Sequence, residues 1–395
     1  MLLIDRLADT LRSWRDYSEL PPAAKSMHKR DRRGLQPTDP GADLAVRETV
    51  GWLERAQDNS ISRDGGVARH YSLVSGWASS YPETTGYIVP TMIQCGDLNG
   101  SKELLDRAET MLNWLVEIQL PGGGYQGGLI DSTPVVPVIF NTGQILMGLA
   151  SGVQRFGTEY SDAMIRAADW LVRNQDSDGS WRKHISPFVA PGEKAYHTHV
   201  AWGLFQAAEA GNDKTYADAG LKNVQWALSL QTENGWIKHC CLDDNSAPLT
   251  HTIGYCLRGI IEAYRATGLE DLLVAIRKTA DGVLRNLGED GFLAGRFDKN
   301  WNAVVPWACL TGTVQLAHCW LLMYQITGNF KYRDGGFLAN EYVRRTVDFA
   351  GPAEIRGGIR GSFPISGRYG QYEYLDWAAK FFIDSNLLEM EIRDG

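Results

Sequence analysis

Trp170-Leu-Val-Arg-Asn-Gln175-Asp-Ser-Asp-Gly179 decides the fold, because the chain repeats its plan. The same Trp-to-Gln hexapeptide appears as Trp52…Gln57, Trp114…Gln119 and Trp226…Gln231, at spacings of 62, 56 and 56 residues. Each copy ends an amphipathic stretch and is followed by glycine: Gly65-Gly66, Gly122-Gly123-Gly124, Gly179 and Gly235. Glycine just past a helical pattern is a stop signal, since it adopts positive φ at little cost. Two degenerate copies end near Asp290-Gly291 and Gly357-Gly358. A period of this length marks a repeat architecture, in which each added unit extends one core.

Between these segments runs a second series, starting at Thr85-Gly86, Thr142-Gly143, Thr198-His199, Thr252-Ile-Gly254, Thr311-Gly312 and Leu375-Asp376-Trp377. Its members are apolar on nearly all sides, as in Thr313-Val-Gln-Leu-Ala-His-Cys-Trp-Leu-Leu-Met-Tyr324, and therefore buried. The Trp…Gln helices carry regular charge and form an outer layer. Six outer–inner pairs predict an all-α (α/α)6 toroid of six helical hairpins over residues 43–395; an open solenoid is the alternative. Residues 1–42 form a lead-in: a short helix over Leu2–Tyr17, then a Pro-containing basic stretch, Lys25–Arg33, expected to be solvated.

Links from inner to outer segments are short. Those from outer to inner are long, roughly 58–83, 120–141, 176–197, 232–251, 288–310 and 351–374. Long irregular links in a compact domain carry function, and all six fall on one face. The inner helices begin there, offering free N–H groups and positive dipole ends to an anionic or polyhydroxylated ligand. The working cavity is therefore expected at that mouth.

Bulk properties narrow the class. Net charge is −8 over 395 residues, against a nucleic-acid partner, which wants a basic face. No apolar run reaches membrane-spanning length. The first twenty residues lack a signal-peptide core, so a cytoplasmic chain with six reduced cysteines is expected. Oligomeric state is not legible.

The mouth segments supply the candidates. Glu83 stands in the first turn of an inner helix, as a dipole-complementing carboxylate or as a catalytic acid or base, with Arg69, His70, Trp77 and Tyr81 beside it. Asn141, an N-cap residue by type, and Gln144 open the second inner helix. His197 and His199 open the third; two residues apart on a helix they diverge by about 200°, so one is expected to face the cavity and the other to pack. His251 and Tyr255 share one face of the fourth. Trp307 and Gln315 accompany the fifth, and the last loop brings Arg360, Arg368, Tyr372 and Glu373. Arginines suit carboxylates, gripping them with two parallel bonds. No cofactor is implied. A metal is not expected either, although His197-x-His199 and His239-Cys240-Cys241 are the ligand types to consider.

Several strings resemble known families. Gln175-Asp-Ser-Asp-Gly179-Ser-Trp181, with Gln231-Thr-Glu-Asn-Gly235-Trp236, is similar to the structural Q-x3-G-x-W repeat of terpenoid cyclases, but the Asp-x-Asp-Asp of their class II members is missing. Trp307-Ala-Cys309-Leu-Thr-Gly312 looks like part of a zinc lanthionine cyclase without its Cys-His-Gly. Ser80-Tyr-Pro-Glu-Thr-Thr-Gly-Tyr87, Leu310-Thr-Gly-Thr-Val-Gln-Leu-Ala317, Gly361-Ser-Phe-Pro-Ile-Ser-Gly-Arg368 and Asp376-Trp-Ala-Ala-Lys-Phe-Phe382 resemble six-hairpin carbohydrate-active proteins of bacterial surface-polysaccharide clusters, with Leu375-Asp376 in place of Pro-Asn. That resemblance implies a toroid distantly like uronyl C5-epimerases, polysaccharide lyases and glycosidases, and an oligo- or polysaccharide substrate.

Two reactions compete. Proton abstraction at C5 of a uronate, giving epimerisation or elimination, needs an acid, a base and groups that neutralise a carboxylate. His197, His199, Tyr255, Tyr372 and the arginines form that inventory. Glycoside hydrolysis needs two flanking carboxylates, for which Glu83, Asp131, Glu373 and Asp376 are candidates. The first is favoured, because His, Tyr, Asn and Arg recur at inner-helix starts. A glycan-binding or scaffold protein is the non-enzymatic reading.

Overall fold

A computed structural model describes residues 17–395, so all but the last residue of the helix expected over Leu2–Tyr17 lies outside the described residues. Described are thirteen α-helices and five short strands. A lead-in helix, α1 (Pro22–Asp31), precedes two concentric layers. The outer layer is α2 (Ala42–Asp58), α4 (Lys102–Glu117), α6 (Ser161–Arg173), α8 (Lys214–Leu228), α10 (Glu270–Leu284) and α12 (Phe330–Arg344). The inner layer is α3 (Pro82–Asn99), α5 (Ile139–Phe156), α7 (Thr198–Gly211), α9 (Thr250–Thr267), α11 (Leu310–Thr327) and α13 (Asp376–Asp394).

Burial follows the sequence pattern. In α6 the buried residues, Ala163, Met164, Ala167, Ala168, Trp170 and Leu171, make one stripe, whereas α11 is buried almost throughout from Leu310 to Met323. Neighbouring inner helices pack side by side around the ring, and α13 returns to α3. Two buried hydroxyls close that seam: Thr84 Oγ1 donates to Asp376 Oδ2 at 2.5 Å, and Thr91 Oγ1 to Asp384 Oδ1 at 2.6 Å. Helix α13 has its outer partner in α2, at the opposite end of the chain.

The Trp…Gln repeat has a mechanical reason. Gln175 Nε2 donates to Gly179 O in its own loop at 3.0 Å and to Ala219 O of the next outer helix at 2.9 Å. Gln119 makes the equivalent pair with Gly123 O and Ala163 O. The glycine lets the loop touch the neighbouring helix: at Gly179, φ is +97° and a Cβ would lie 2.4 Å from Lys222 O. The sixth copy, Gly357 at φ +77°, sets its backbone against Glu48 of α2, where a Cβ would lie 2.1 Å from the carbonyl. One small device, repeated, thus also closes the circle.

Long links join every outer helix to the following inner one on a single face. Nothing in the residue pattern marks the short strands they contain. Strand β1 (His70–Ser72) pairs with β2 (Gly76–Trp77) and with β5 (Glu373–Leu375), so the first mouth loop is sewn to the last, with His70 opposite Leu375. Strands β3 (Ala308–Cys309) and β4 (Ser362–Phe363) join the fifth and last loops.

The expectation of a solvated lead-in is corrected. Helix α1 buries Ala24, Met27 and Asp31 against the last loop. Asp31 Oδ1 accepts from Arg360 Nη1 at 2.5 Å and Oδ2 from Ile365 N at 2.7 Å. Arg30 pairs with Asp348 at 2.5 Å and Asp39 with Arg344 at 2.6 Å. Arg32 and Arg33 remain exposed.

Candidate active site

The long-loop face holds a cavity of about 210 Å³ at the start of the inner helices. Its lining includes Arg69, Tyr81, Glu83, Asn141, His251 and Tyr255 from the expected set, with Phe140, Tyr369 and Trp377 as aromatic walls. Ser186, Phe188, Val189 and Leu242 from the third and fourth loops complete the rim.

Glu83 reaches the cavity because Pro82 starts α3 and places the next residue in the first turn, pointing to the mouth. It is 8% exposed, and Tyr81 Oη donates to its Oε2 at 2.8 Å. Burial pushes the Glu83 carboxyl up to about 7, against the lowering by that hydrogen bond and by the Arg69 charge. A carboxyl poised there is half protonated near neutrality, where a general acid or base is most useful. Among the described residues Arg69 is the one cation in the lining; its guanidinium lies 5.0 Å from the Trp377 ring centre and 3.4 Å from Glu373 at the rim.

His251 is oriented from behind. Its Nδ1 meets Gln315 Oε1 at 2.7 Å, so the imidazole carries its proton on Nδ1 and keeps the Nε2 lone pair for the cavity. Burial holds its pKa down at about 4, so the ring is neutral at ordinary pH. Tyr255 packs on it at 4.4 Å between ring centres and Tyr369 at 5.4 Å. Asn141 Nδ2 is buried and makes no well-aligned hydrogen bond among the described residues, with the Tyr81 hydroxyl beside it. A buried donor so weakly engaged in a cavity wall fits a ligand oxygen.

Asp376 opens the neighbouring helix α13. It is fully buried, with Oδ1 lacking a partner among the described residues, and burial raises its carboxyl well above the usual range. It is held by Thr84 and is not among the cavity-lining residues, leaving Glu83 the one carboxyl there among the described residues.

The other candidates lie elsewhere. The divergence of the two histidines holds, but neither lines the mouth cavity. His197 packs among Phe140, Trp181 and Tyr196, while His199 points to the ring axis, with Nδ1 on Gln144 Oε1 at 2.6 Å. Arg360 is locked to Asp31 beneath the lead-in, and Tyr372 Oη meets His28 Nδ1 at 3.0 Å; neither reaches the cavity, because α1 covers them. Trp77 packs on Trp52, Trp307 on Leu249 and Cys309, and Arg368 is exposed. His70 and Glu373 stand at the rim beside Arg69. Tyr369 was missed; it sits in an irregular loop with no periodic neighbour to mark it.

The mouth cavity is also not the roomiest one. A more polar cavity of about 350 Å³ occupies the short-loop end of the ring, contrary to the expectation from loop length. Among the described residues no cluster of His, Cys, Asp or Glu is arranged to hold a metal, and no helix is long and apolar enough to cross a membrane.

The architecture recurs in solved enzymes. An unsaturated glucuronyl hydrolase specific for heparin superposes with a TM-score of 0.72 at 15% identity, covering 91% of this chain and 99% of that one. The unsaturated glucuronyl hydrolase of Bacillus sp. GL1 gives 0.69 at 14% identity, over 88% and 96%. A D-mannose isomerase gives 0.70 at 11% identity, over 89% and 97%. The fold is theirs. No family model matches the chain. Over 202 residues, 44% of this chain, the sequence is 24% identical to squalene–hopene cyclase of Alicyclobacillus acidocaldarius, and the match spans only 31% of that enzyme.

Proposed function

We propose that this protein is a carbohydrate-active enzyme that binds a uronate unit of a glycan at the long-loop mouth and moves the proton at C5, as an epimerase or lyase does. The observation that carries the reading is Glu83: among the described residues the one carboxyl lining the cavity, buried, held near 7, and accompanied by a cation, a weakly engaged amide and an oriented neutral imidazole. Arg69 would grip the substrate carboxylate. Asn141 would hold an oxygen that gains charge as the enolate forms. Glu83 and His251 would be the proton-transfer pair, with Tyr255 beside them, which moves the roles first given to His197 and His199. The cavity is below the roughly 300–1,000 Å³ of drug-sized sites, which fits one ring held at a time.

A second reading, glycoside hydrolysis, is favoured by the glucuronyl hydrolases among the similar structures and by Asp376 standing on the helix next to Glu83. There Glu83 would protonate the departing oxygen. One experiment separates the two: a uronate oligosaccharide is incubated with enzyme in D₂O. Deuterium at C5, or the absorbance of a conjugated uronate, supports the first reading. New reducing ends with no deuterium at C5 support the second. Neither signal, with saturable binding, would leave a glycan-binding protein.

A further inference from the structure

The lumen of the ring is divided by an aromatic floor. Tyr87 borders both the mouth cavity and the 350 Å³ cavity below it. Its hydroxyl meets that of Tyr255 at 3.4 Å, and His199 and Phe381 pack against Tyr255 at 4.5 and 5.7 Å between ring centres. The lower chamber therefore runs from the middle of the inner helices toward their C-terminal ends, and each of the six contributes to its wall: Tyr87, Met147, Trp202, Arg258, His318 and Lys380, in chain order.

Its charges balance across the chamber rather than pair by pair. Lys380 Nζ lies 2.5 Å from Asp384, which Thr91 also holds. Arg258 pairs with Glu262 at 2.6 Å while its guanidinium sits 4.1 Å from the Trp202 ring centre, and Arg265 reaches the same Glu262 at 3.1 Å. The two arginines share one carboxylate while Glu391 also lines the chamber, so among the described residues three cations face three carboxylates and no net charge selects an anion. What remains free is neutral and planar. Gln206 Oε1 is buried without a partner among the described residues, and the His318 ring faces the chamber as part of its lining. Burial keeps that ring uncharged, so it offers one donor and one acceptor. Gln94 adds an amide at the opening, and Gln325, whose Nε2 donates to Glu391 Oε1 at 3.4 Å, adds a second.

We propose that this chamber is a second binding site, opposite the mouth, for a neutral polyhydroxylated ring, that is, an uncharged sugar. Each sugar hydroxyl both donates and accepts, which matches amides and a neutral imidazole, while Tyr87 and Trp202 offer apolar surface to its C–H groups.

The test uses the full chain with ¹³C-labelled histidine, the His318 signal being assigned by its loss in His318→Asn. Methyl glucoside, N-acetylglucosamine and glucuronate are titrated separately to roughly 100 mM, ample for a millimolar Kd. The expected result is a saturable shift of His318 with at least one neutral sugar. Affinity should be unchanged in Glu83→Gln and weakened about tenfold or more, roughly 1.4 kcal/mol, in Gln206→Ala. Should Gln206→Ala fail to fold, Gln325→Ala at the exposed rim replaces it, with a smaller loss of at least about threefold expected. A His318 signal unmoved by all three sugars, one moved by glucuronate alone, or affinity unchanged in the glutamine variant overturns the proposal. The mouth reading is tested separately, by C5 deuterium and its dependence on Glu83.

Discussion

Tyr81 donates its hydroxyl to Glu83 Oε2 at 2.8 Å, and the carboxyl so held titrates near 7 because burial outweighs that bond. The folded-state value lies above the usual carboxylate value of 4.5, so the fold binds a proton that the unfolded chain has released. Stability then falls as pH rises from about 4.5 to about 7, by at most about 1.4 kcal/mol for each pH unit crossed. Glu83→Gln should flatten that slope and raise the melting temperature at pH 8 more than at pH 5. Thermal melts across this window decide it; a variant with the wild-type slope would show that Glu83 is not the titrating group.

The same group should set an activity limb. If Glu83 must be protonated, the rate falls above about pH 7; if it must be ionised, the rate falls below. His251, held down at about 4, contributes no limb near neutrality. Positioned acid–base groups supply roughly 10²–10⁴-fold, so His251→Ala and Glu83→Gln should each lose that much in kcat. His197→Ala, buried among Phe140, Trp181 and Tyr196, should keep kcat and lower the melting temperature instead.

Asp31 and Arg360 form an ion pair with both side chains almost fully buried. Removing one partner strands the other, at a cost of about 3–5 kcal/mol. Asp31→Ala should therefore destabilise the chain strongly in urea and speed amide exchange over residues 359–376, whose loop carries Tyr369. The double change Asp31→Leu with Arg360→Met should recover most of the loss, since no charge is left buried alone.

Gly357 combines a positive φ with the 2.1 Å approach of its missing Cβ to Glu48 O. Gly357→Ala should cost roughly 1–3 kcal/mol from the backbone conformation alone, and more from the clash. Gly34, with positive φ but open space around it, should lose only the conformational part. Paired denaturation curves give the comparison.

The fold was readable because its cause is local and repeated: each Trp…Gln…Gly unit makes the same bonds to the next helix, so the period survives in the sequence. Glu83, Asn141, His251 and Tyr255 were readable for a related reason, since a helix start fixes where its first turns point. Arg360 and Tyr372 were misplaced because nothing in the chain announces that α1 will lie over them. Tyr369 and Phe188 belong to irregular loops, where no periodicity marks the inward residues. The lower chamber was not legible because Arg258 and Lys380 sit deep in helices that read as core.

The pairing of α2 with α13 gives this ring an unusual assembly order. Five hairpins are made of consecutive helices and can dock as each emerges from the ribosome. The sixth joins residues 42–58 to 376–394, so the earliest outer helix keeps its apolar stripe uncovered until nearly the whole chain has been synthesised. That stripe, with Trp52 and Leu53 at its centre, is where a chaperone would be needed longest and where partly made chains would stick to one another.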